Sequence, residues 1–247
     1  MSTGFAGPPP QVGVGIVASF DFDRDRELWR WVPDEVSLFI ARTDPVSFTD
    51  NLDLVSTLNQ PGCVERPTRE MCALGVRTVA FLCTACSFVG GIGRERALRD
   101  AVLEQGAPRA VTTAGAVVDA LRAVGTRRVA VAHPYEPPVG LRLGEFLTES
   151  GFDVVSSTDL GLGSIREVYA VSYARVADLV RAADHPESDA VFLSCTALPT
   201  YDVIAPLEQE LGKPIITANQ ATIWAALRTL NISAVGPGQG LLAAGQP

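Results

Sequence analysis

The chain has 247 residues, 47% of them hydrophobic, enough for one large α/β domain or two smaller ones around a packed core. Lys and Arg number 20 against 28 Asp and Glu, a formal net charge of −8 with a pI near 4.8, so no basic surplus exists to neutralise phosphates and no nucleic-acid partner is expected. No apolar run approaches the ~18 residues of a membrane span, five cysteines are an odd number for a disulfide framework, and residues 1–11 lack the basic and apolar regions of a signal peptide. These features predict a cytoplasmic protein with free thiols, no membrane partner and a disordered leader over 1–11.

In chain order, residues 12–18 (Val-Gly-Val-Gly-Ile-Val-Ala) read as a buried first strand. Ser19 to Asp23 follow its carboxyl end, with Asp23 the expected cap of a helix over 24–31. Gly13 and Gly15 fall inside the strand rather than in the turn after it, so they do not make a dinucleotide-binding fingerprint. A second strand is expected at 36–41 and helices at 50–58 and 67–74. Pro67 suits the first turn of the latter, Gly75 ends it, and Cys72 is expected in the core. Residues 77–82 make a third strand that runs into Cys83-Thr84-Ala85-Cys86-Ser87-Phe88, before a helix at 94–105 and a short strand at 109–113.

The pattern then restarts. A linking helix at 115–124 leads to a strand at 127–133, which ends in His133 and meets Pro134-Tyr135. A helix at 139–150, a strand at 152–156 and a helix at 172–183 follow, then a strand at 189–194 that runs into Ser194-Cys195-Thr196-Ala197. A helix at 202–211, a strand at 214–217 and a helix at 222–230 complete the series, and 236–247 read as a disordered tail. From Val14 to Cys83 is 69 residues and from Val129 to Cys195 is 66, a near-constant offset. The expected fold is α/β with two pseudo-symmetric halves, each a four-stranded parallel sheet flanked by helices. The first half takes 12–113 plus 222–235, the second 114–221, and the active site lies in the cleft between them.

Cys83 and Cys195 each stand where a parallel strand passes into a loop and then a helix, and Thr-Ala follows each. Backbone N–H groups at such a place lower a thiol pKa, and the thiolate is the reactive form. Together with the hydroxyls of Thr84, Ser87 and Thr196, those N–H groups can receive the carboxylate of a small substrate. Cys83-x-x-Cys86 also fits a thioredoxin-type redox pair. Zinc wants four ligands, whereas the chain has no second Cys-x-x-Cys and only two histidines, so no metal is expected. His133 admits two readings, the base of a thiol hydrolase or a structural histidine beside Pro134, and no Asn or Asp can be assigned to orient it.

On Cys83-Thr84-Ala85-Cys86-Ser87-Phe88, Pro134-Tyr135 and Ser194-Cys195 the chain resembles the Asp/Glu racemase superfamily, in its branch of maleate cis-trans isomerases and arylmalonate decarboxylases. The similarity runs over residues 12–230. It implies that Cys83 and Cys195 are the catalytic pair, that Tyr135 orients the substrate, and that Ser19, Asp21, Thr84, Ala85, Ser87 and Thr196 help to bind it. It also implies a homodimer and an isomerase of small carboxylic acids that needs no cofactor and works by thiolate addition or proton transfer. An amino-acid or hydantoin-type racemase, an arylmalonate-type decarboxylase and a non-catalytic thiol redox or binding protein are the alternatives. The decarboxylases typically have glycine at the first cysteine position, so Cys83 points towards an isomerase or racemase. Asp21 stands where the isomerases carry an asparagine, and Ile165 where they carry a second. Arg166 is the expected compensator of the Asp21 charge, unless Asp21 holds a substrate amine or hydroxyl.

Overall fold

The chain builds two separate parallel sheets of the same design. The computed structural model describes residues 10–244. The first sheet contains β1 (Val12–Ala18), β2 (Val36–Arg42), β3 (Thr78–Leu82) and β4 (Ala110–Thr112), in the order β2-β1-β3-β4. The second contains β5 (Arg128–His133), β6 (Asp153–Asp159), β7 (Ala190–Leu193) and β8 (Ile215–Thr217), in the equivalent order β6-β5-β7-β8. Every residue of β3 and of β7 is buried, which is why these stretches read as continuous apolar runs. Register places the candidate residues. Ala18 pairs with Leu82, so Ser19 and Cys83 leave neighbouring strands side by side. Ala132 pairs with Leu193, which sets His133 beside Ser194 in the second half.

The helices are α1 (Asp25–Leu28), α2 (Asn51–Leu58), α3 (Gly62–Ala73), α4 (Thr84–Phe88), α5 (Gly91–Glu104), α6 (Thr113–Ala123), α7 (Pro137–Glu149), α8 (Ile165–Tyr169), α9 (Tyr173–Ala183), α10 (Tyr201–Leu211), α11 (Ala218–Arg228) and α12 (Gly240–Ala244). α6 and α11 start directly from the edge strands β4 and β8, capped by Thr112 and Thr217 in matching extended conformations. They pack on one another between the halves, where the Thr222 hydroxyl donates to Thr113 Oγ1 at 2.9 Å. Among the described residues no helix is long and apolar enough to cross a membrane.

Several local expectations need correction. The helix expected over 24–31 is α1 followed by a 3₁₀ turn at Trp29–Trp31. Asp23 does not cap it: Arg24 occupies that position without a side-chain cap bond, and the Asp23 carboxylate instead lies 3.8 Å from the Arg24 guanidinium. α3 begins at Gly62, right after Pro61, so Pro67 is inside the helix rather than in its first turn. Cys72 is half-buried at the edge of the core rather than within it. α11 starts four residues earlier than expected because Thr217 and Gln220 form a reciprocal capping box.

The expected tail is also folded as far as Ala244. The Gln239 side-chain oxygen accepts from Trp31 Nε1 and from Gln220 Nε2, each at 2.8 Å, and Leu241 and Leu242 are buried. Residues 245–247, and 1–9 of the expected leader, lie outside the described residues.

Candidate active site

A cavity of about 90 Å³ lies at the carboxyl ends of the central strands, where the two halves meet. Cys83, Thr84, Ala85, Ser19 and Asp21 reach it from the first half, and Tyr135, Cys195 and Thr196 from the second. The two cysteines therefore share one small space. A larger cavity, about 280 Å³ beside β4, is lined by Glu95, Arg99, Asp119 and Arg122 among others, and no cysteine reaches it. Convergent chemistry rather than size marks the site.

Cys83 is the N-cap of α4, in extended backbone geometry, and its sulfur receives the Cys86 N–H at 3.3 Å. The side chains of the N-cap and of the third helical residue meet on the first turn, and here they are joined: Cys83 and Cys86 form a disulfide, with their Cα atoms 5.4 Å apart. The expectation of five free thiols thus holds only for Cys63, Cys72 and Cys195.

Ser87 is not part of the cavity. It is fully buried, its hydroxyl lies 2.7 Å from the Cys83 carbonyl and 2.8 Å from that of Thr84, and it accepts from Ala114 N–H at 3.0 Å. It fastens α4 to α6, and with its proton spent on the two carbonyls it has none to give a substrate carboxylate. Thr84 is the opposite case. Its Oγ1 is buried in the cavity wall without a hydrogen-bond partner, a cost that a bound oxygen would remove.

Cys195 sits at φ +106°, in the region that favours glycine, so the backbone is held there against its preference. Burial pushes its thiol up to about 11, more than the N–H groups of Ala197 and Leu198 and the Tyr135 hydroxyl pull it down, and the Asp21 charge adds to the rise. This corrects the expectation of an acidified thiol. At 8% exposure the loss of water outweighs the backbone donors, and near neutral pH Cys195 carries its proton.

The Tyr135 hydroxyl lies 3.0 Å from Ser194 Oγ, and burial keeps the phenol protonated far above its usual value. Its ring lies edge-on to Phe88 and stacks on His133 at 5.3 Å. His133 stays outside the cavity. Burial pushes its pKa down, its Nε2 is 3.4 Å from Ser157 Oγ, and a Cβ on Gly140 would come within 2.6 Å of its Cε1. Glycine at 140 lets α7 close on the ring, so His133 acts as packing behind Tyr135.

Asp21 faces the cavity from the loop after β1, but Arg166 is exposed, does not line the cavity and does not compensate it. Cross-links between the halves hold this rim in place. Tyr169 donates to the Asp21 carbonyl at 3.0 Å and accepts from Asp23 N–H, while Arg24 reaches the carbonyls of Tyr169 and Ala197. Nearby, the buried Glu27 carboxylate accepts from the N–H and hydroxyl of Thr200 and the N–H of Tyr201, anchoring the start of α10. Burial raises its pKa more than those donors lower it.

The remaining wall, apart from Ile165, was not foreseen as part of the site. α2 contributes Leu54, Val55 and Leu58, and the segment around α8 contributes Leu162, Ile165 and Val168. The helix over α2 was expected, but nothing in its own pattern tells that its apolar face meets a cavity. α8 has five residues, too few for a helical period to show. Among the described residues no three His, Cys, Asp or Glu side chains gather as a metal-ion site.

A family model described as arylmalonate decarboxylase matches residues 58–243. An arylmalonate decarboxylase from Bordetella bronchiseptica is 36% identical over 171 residues, which span 68% of this chain and 71% of that protein. A maleate isomerase from Nocardia farcinica is 31% identical over 185 residues, 70% of this chain and 74% of that one. Among solved structures, a liganded double mutant of arylmalonate decarboxylase superposes with a TM-score of 0.83 at 30% identity, over 94% of this chain and 98% of that one. A cysteine-to-serine mutant of the Nocardia farcinica maleate cis-trans isomerase, with a covalently bound succinylcysteine intermediate, gives 0.82 at 25% identity over the same shares.

Proposed function

The chain belongs to the arylmalonate decarboxylase family, and we propose that it is an isomerase of a small carboxylic acid, moving a proton between two cysteines without a cofactor. The supporting observation is that Cys83 and Cys195 come from equivalent strand ends of the two halves into one cavity, while burial keeps Cys195 in its protonated form. With the disulfide reduced, Cys83 as thiolate removes the proton from the α-carbon of the substrate. The C–H electrons pass into the carboxylate, giving an enediolate, and Cys195 delivers its proton to the other face. Thr84 Oγ1, without a partner of its own, and the Tyr135 hydroxyl are the donors for the charge that develops on the carboxylate. The products are the inverted acid, a Cys83 thiol and a Cys195 thiolate, and proton exchange with water resets the pair.

The apolar wall of Leu54, Val55, Ile165 and Val168 favours an acid with one carboxylate and an apolar substituent, because a second carboxylate there would lose water without gaining a partner. A second reading draws on the succinylcysteine intermediate of the Nocardia isomerase. In it Cys83 adds to one alkene carbon of a cis-diacid and Cys195 protonates the other, the resulting single bond rotates, and return of that proton to Cys195 with expulsion of the Cys83 thiolate restores the alkene in trans form. Decarboxylation would use Cys195 to protonate the same enediolate and would leave Cys83 without a role.

One experiment separates the three. The reduced protein is incubated in heavy water with maleate, aspartate, glutamate, a hydantoin, an arylmalonate and phenylglycine, and followed by proton NMR for exchange and by chiral chromatography for inversion. Exchange of the α-hydrogen with inversion, lost in Cys83→Ser and in Cys195→Ser, is the expected outcome. Fumarate from maleate, which has no α-hydrogen on a saturated carbon to transfer, supports thiolate addition, and carbon dioxide from the arylmalonate supports decarboxylation; either result alone overturns the proton-transfer proposal.

A further inference from the structure

We infer that Cys86 is a resolving cysteine, and that the Cys83–Cys86 disulfide is a reversible off-state in which peroxide silences the site and a dithiol restores it. The inference rests on the proposal that Cys83 acts as a thiolate. Three observations carry it. The bond takes the Cys83 sulfur, which faces the cavity, and leaves Cys195 free. The partners are the cap and the third residue of one helical turn, with Cα atoms 5.4 Å apart, within the span a disulfide needs, so the bond is compatible with an intact α4. Finally, α4 is fixed from outside the pair, by Ser87 bonding to α6 and by Asn59 Nδ2 donating to the Cys86 carbonyl at 2.6 Å. The loop geometry therefore does not depend on the disulfide.

The chemistry balances with hydrogen peroxide as oxidant. The Cys83 thiolate attacks one peroxide oxygen and expels hydroxide, giving a sulfenic acid. The Cys86 thiol displaces the sulfenic hydroxyl, its proton leaves with that oxygen as water, and the S–S bond forms. Two thiols are oxidised and one peroxide is reduced to two waters. In the reverse direction a dithiol thiolate attacks Cys83, which is 9% exposed against 1% for Cys86, and expels Cys86 as thiolate. The second thiol of the reductant then breaks the mixed disulfide, so that Cys83 and Cys86 end as thiols and the reductant as a cyclic disulfide. Cys195 is a weaker target for peroxide, because burial keeps it protonated.

The test reads the thiols and turnover separately. Wild type and Cys86→Ser are treated with peroxide and then with dithiothreitol, each compared with its own reduced form. Peptide mapping by mass spectrometry is expected to find the 83–86 cross-link in oxidised wild type and its disappearance on reduction, with iodoacetamide labelling of Cys83 lost and regained in step. Turnover of the substrate found in the panel should fall by at least ~100-fold on oxidation, the lower end of what a positioned acid or base contributes, and return with the dithiol. Peroxide should inactivate Cys86→Ser without recovery, since its Cys83 advances to the sulfinic acid. A cross-link to any other cysteine, full recovery of oxidised Cys86→Ser, or unchanged turnover in cross-linked wild type would each overturn the inference. If the reduced protein turns over nothing in the panel, the functional proposal fails, while mapping and labelling still decide whether Cys86 resolves Cys83.

Discussion

The elevated pKa of Cys195 is open to direct measurement. In a Cys83→Ser background, which removes the disulfide and one competing cysteine, the rate of Cys195 alkylation by iodoacetamide is followed by peptide mass as pH rises from neutrality. Only the thiolate reacts. At pH 8 a cysteine at the usual 9.0 is thiolate in about one molecule in eleven, and one at about 11 in about one in a thousand, so Cys195 should react about 90-fold more slowly than an equally accessible ordinary thiol. Burial slows the reaction equally at every pH, so the shape of the profile carries the test. The rate should climb about tenfold per pH unit to pH 10 with no plateau near 9.

Two further variants give the sign of each cause. Asp21→Asn removes an anion that raises the pKa and should speed alkylation at fixed pH, whereas Tyr135→Phe removes a donor to the sulfur and should slow it. The shift also enters stability. Because the folded value lies above the unfolded one, the contribution is fully present below pH 9 and is lost as pH rises through about 11, a change of roughly 3 kcal/mol. A plateau at or below pH 9, or slower labelling in Asp21→Asn, would refute the account of a desolvated thiol beside an anion.

Two other outcomes follow from the same geometry. If the substrate carries an amine, Asp21→Asn removes a charge-assisted hydrogen bond of about 1.5–3 kcal/mol and should lower kcat/KM for that acid about 10- to 150-fold. It should also improve any activity on maleate, and unchanged kcat/KM on both substrates would exclude Asp21 from recognition. Glu27→Ala removes the acceptor of two N–H groups and a hydroxyl, and should cost about 2–3 kcal/mol, lowering Tm by about 2–4 °C for each kcal/mol lost. Glu27→Gln keeps an acceptor and avoids burying a charge, so it should lose less, and urea unfolding that finds Ala and Gln equal would count against the carboxylate as the anchor.

The strands were the most legible part of the sequence, because a parallel strand covered on both faces writes its burial as an unbroken apolar run. β1, β3, β5 and β7 are found within a residue or two of their expected limits, and the duplication was visible in the spacing of Cys83 and Cys195. The residues at those strand ends were legible for the same reason, since topology fixes where a central strand delivers its last side chain. Side-chain partnership was not. Ser87 and Thr84 look alike in the sequence, yet one hydroxyl is consumed by neighbouring backbone and the other is left free, a difference made by α6 arriving from 27 residues away. The rise in the Cys195 pKa was hidden because helix-start donors are local, whereas burial is a property of the whole fold. Cys86 stood in plain view as Cys-x-x-Cys, but whether cap and third residue can join depends on the cap's extended backbone, which composition does not reveal.

The positive φ at Cys195 bears on how this protein can change over time. Glycine would occupy +106° freely, while a residue with a Cβ costs about 1–3 kcal/mol there. Cysteine and glycine codons differ by a single base, so a mutation that relieves the backbone is always one step away, and it would discard the thiol while improving the fold. Drift under selection for stability alone would run towards that silent form. Replacing Cys195 by glycine should therefore raise stability even as it removes the thiol from the cavity.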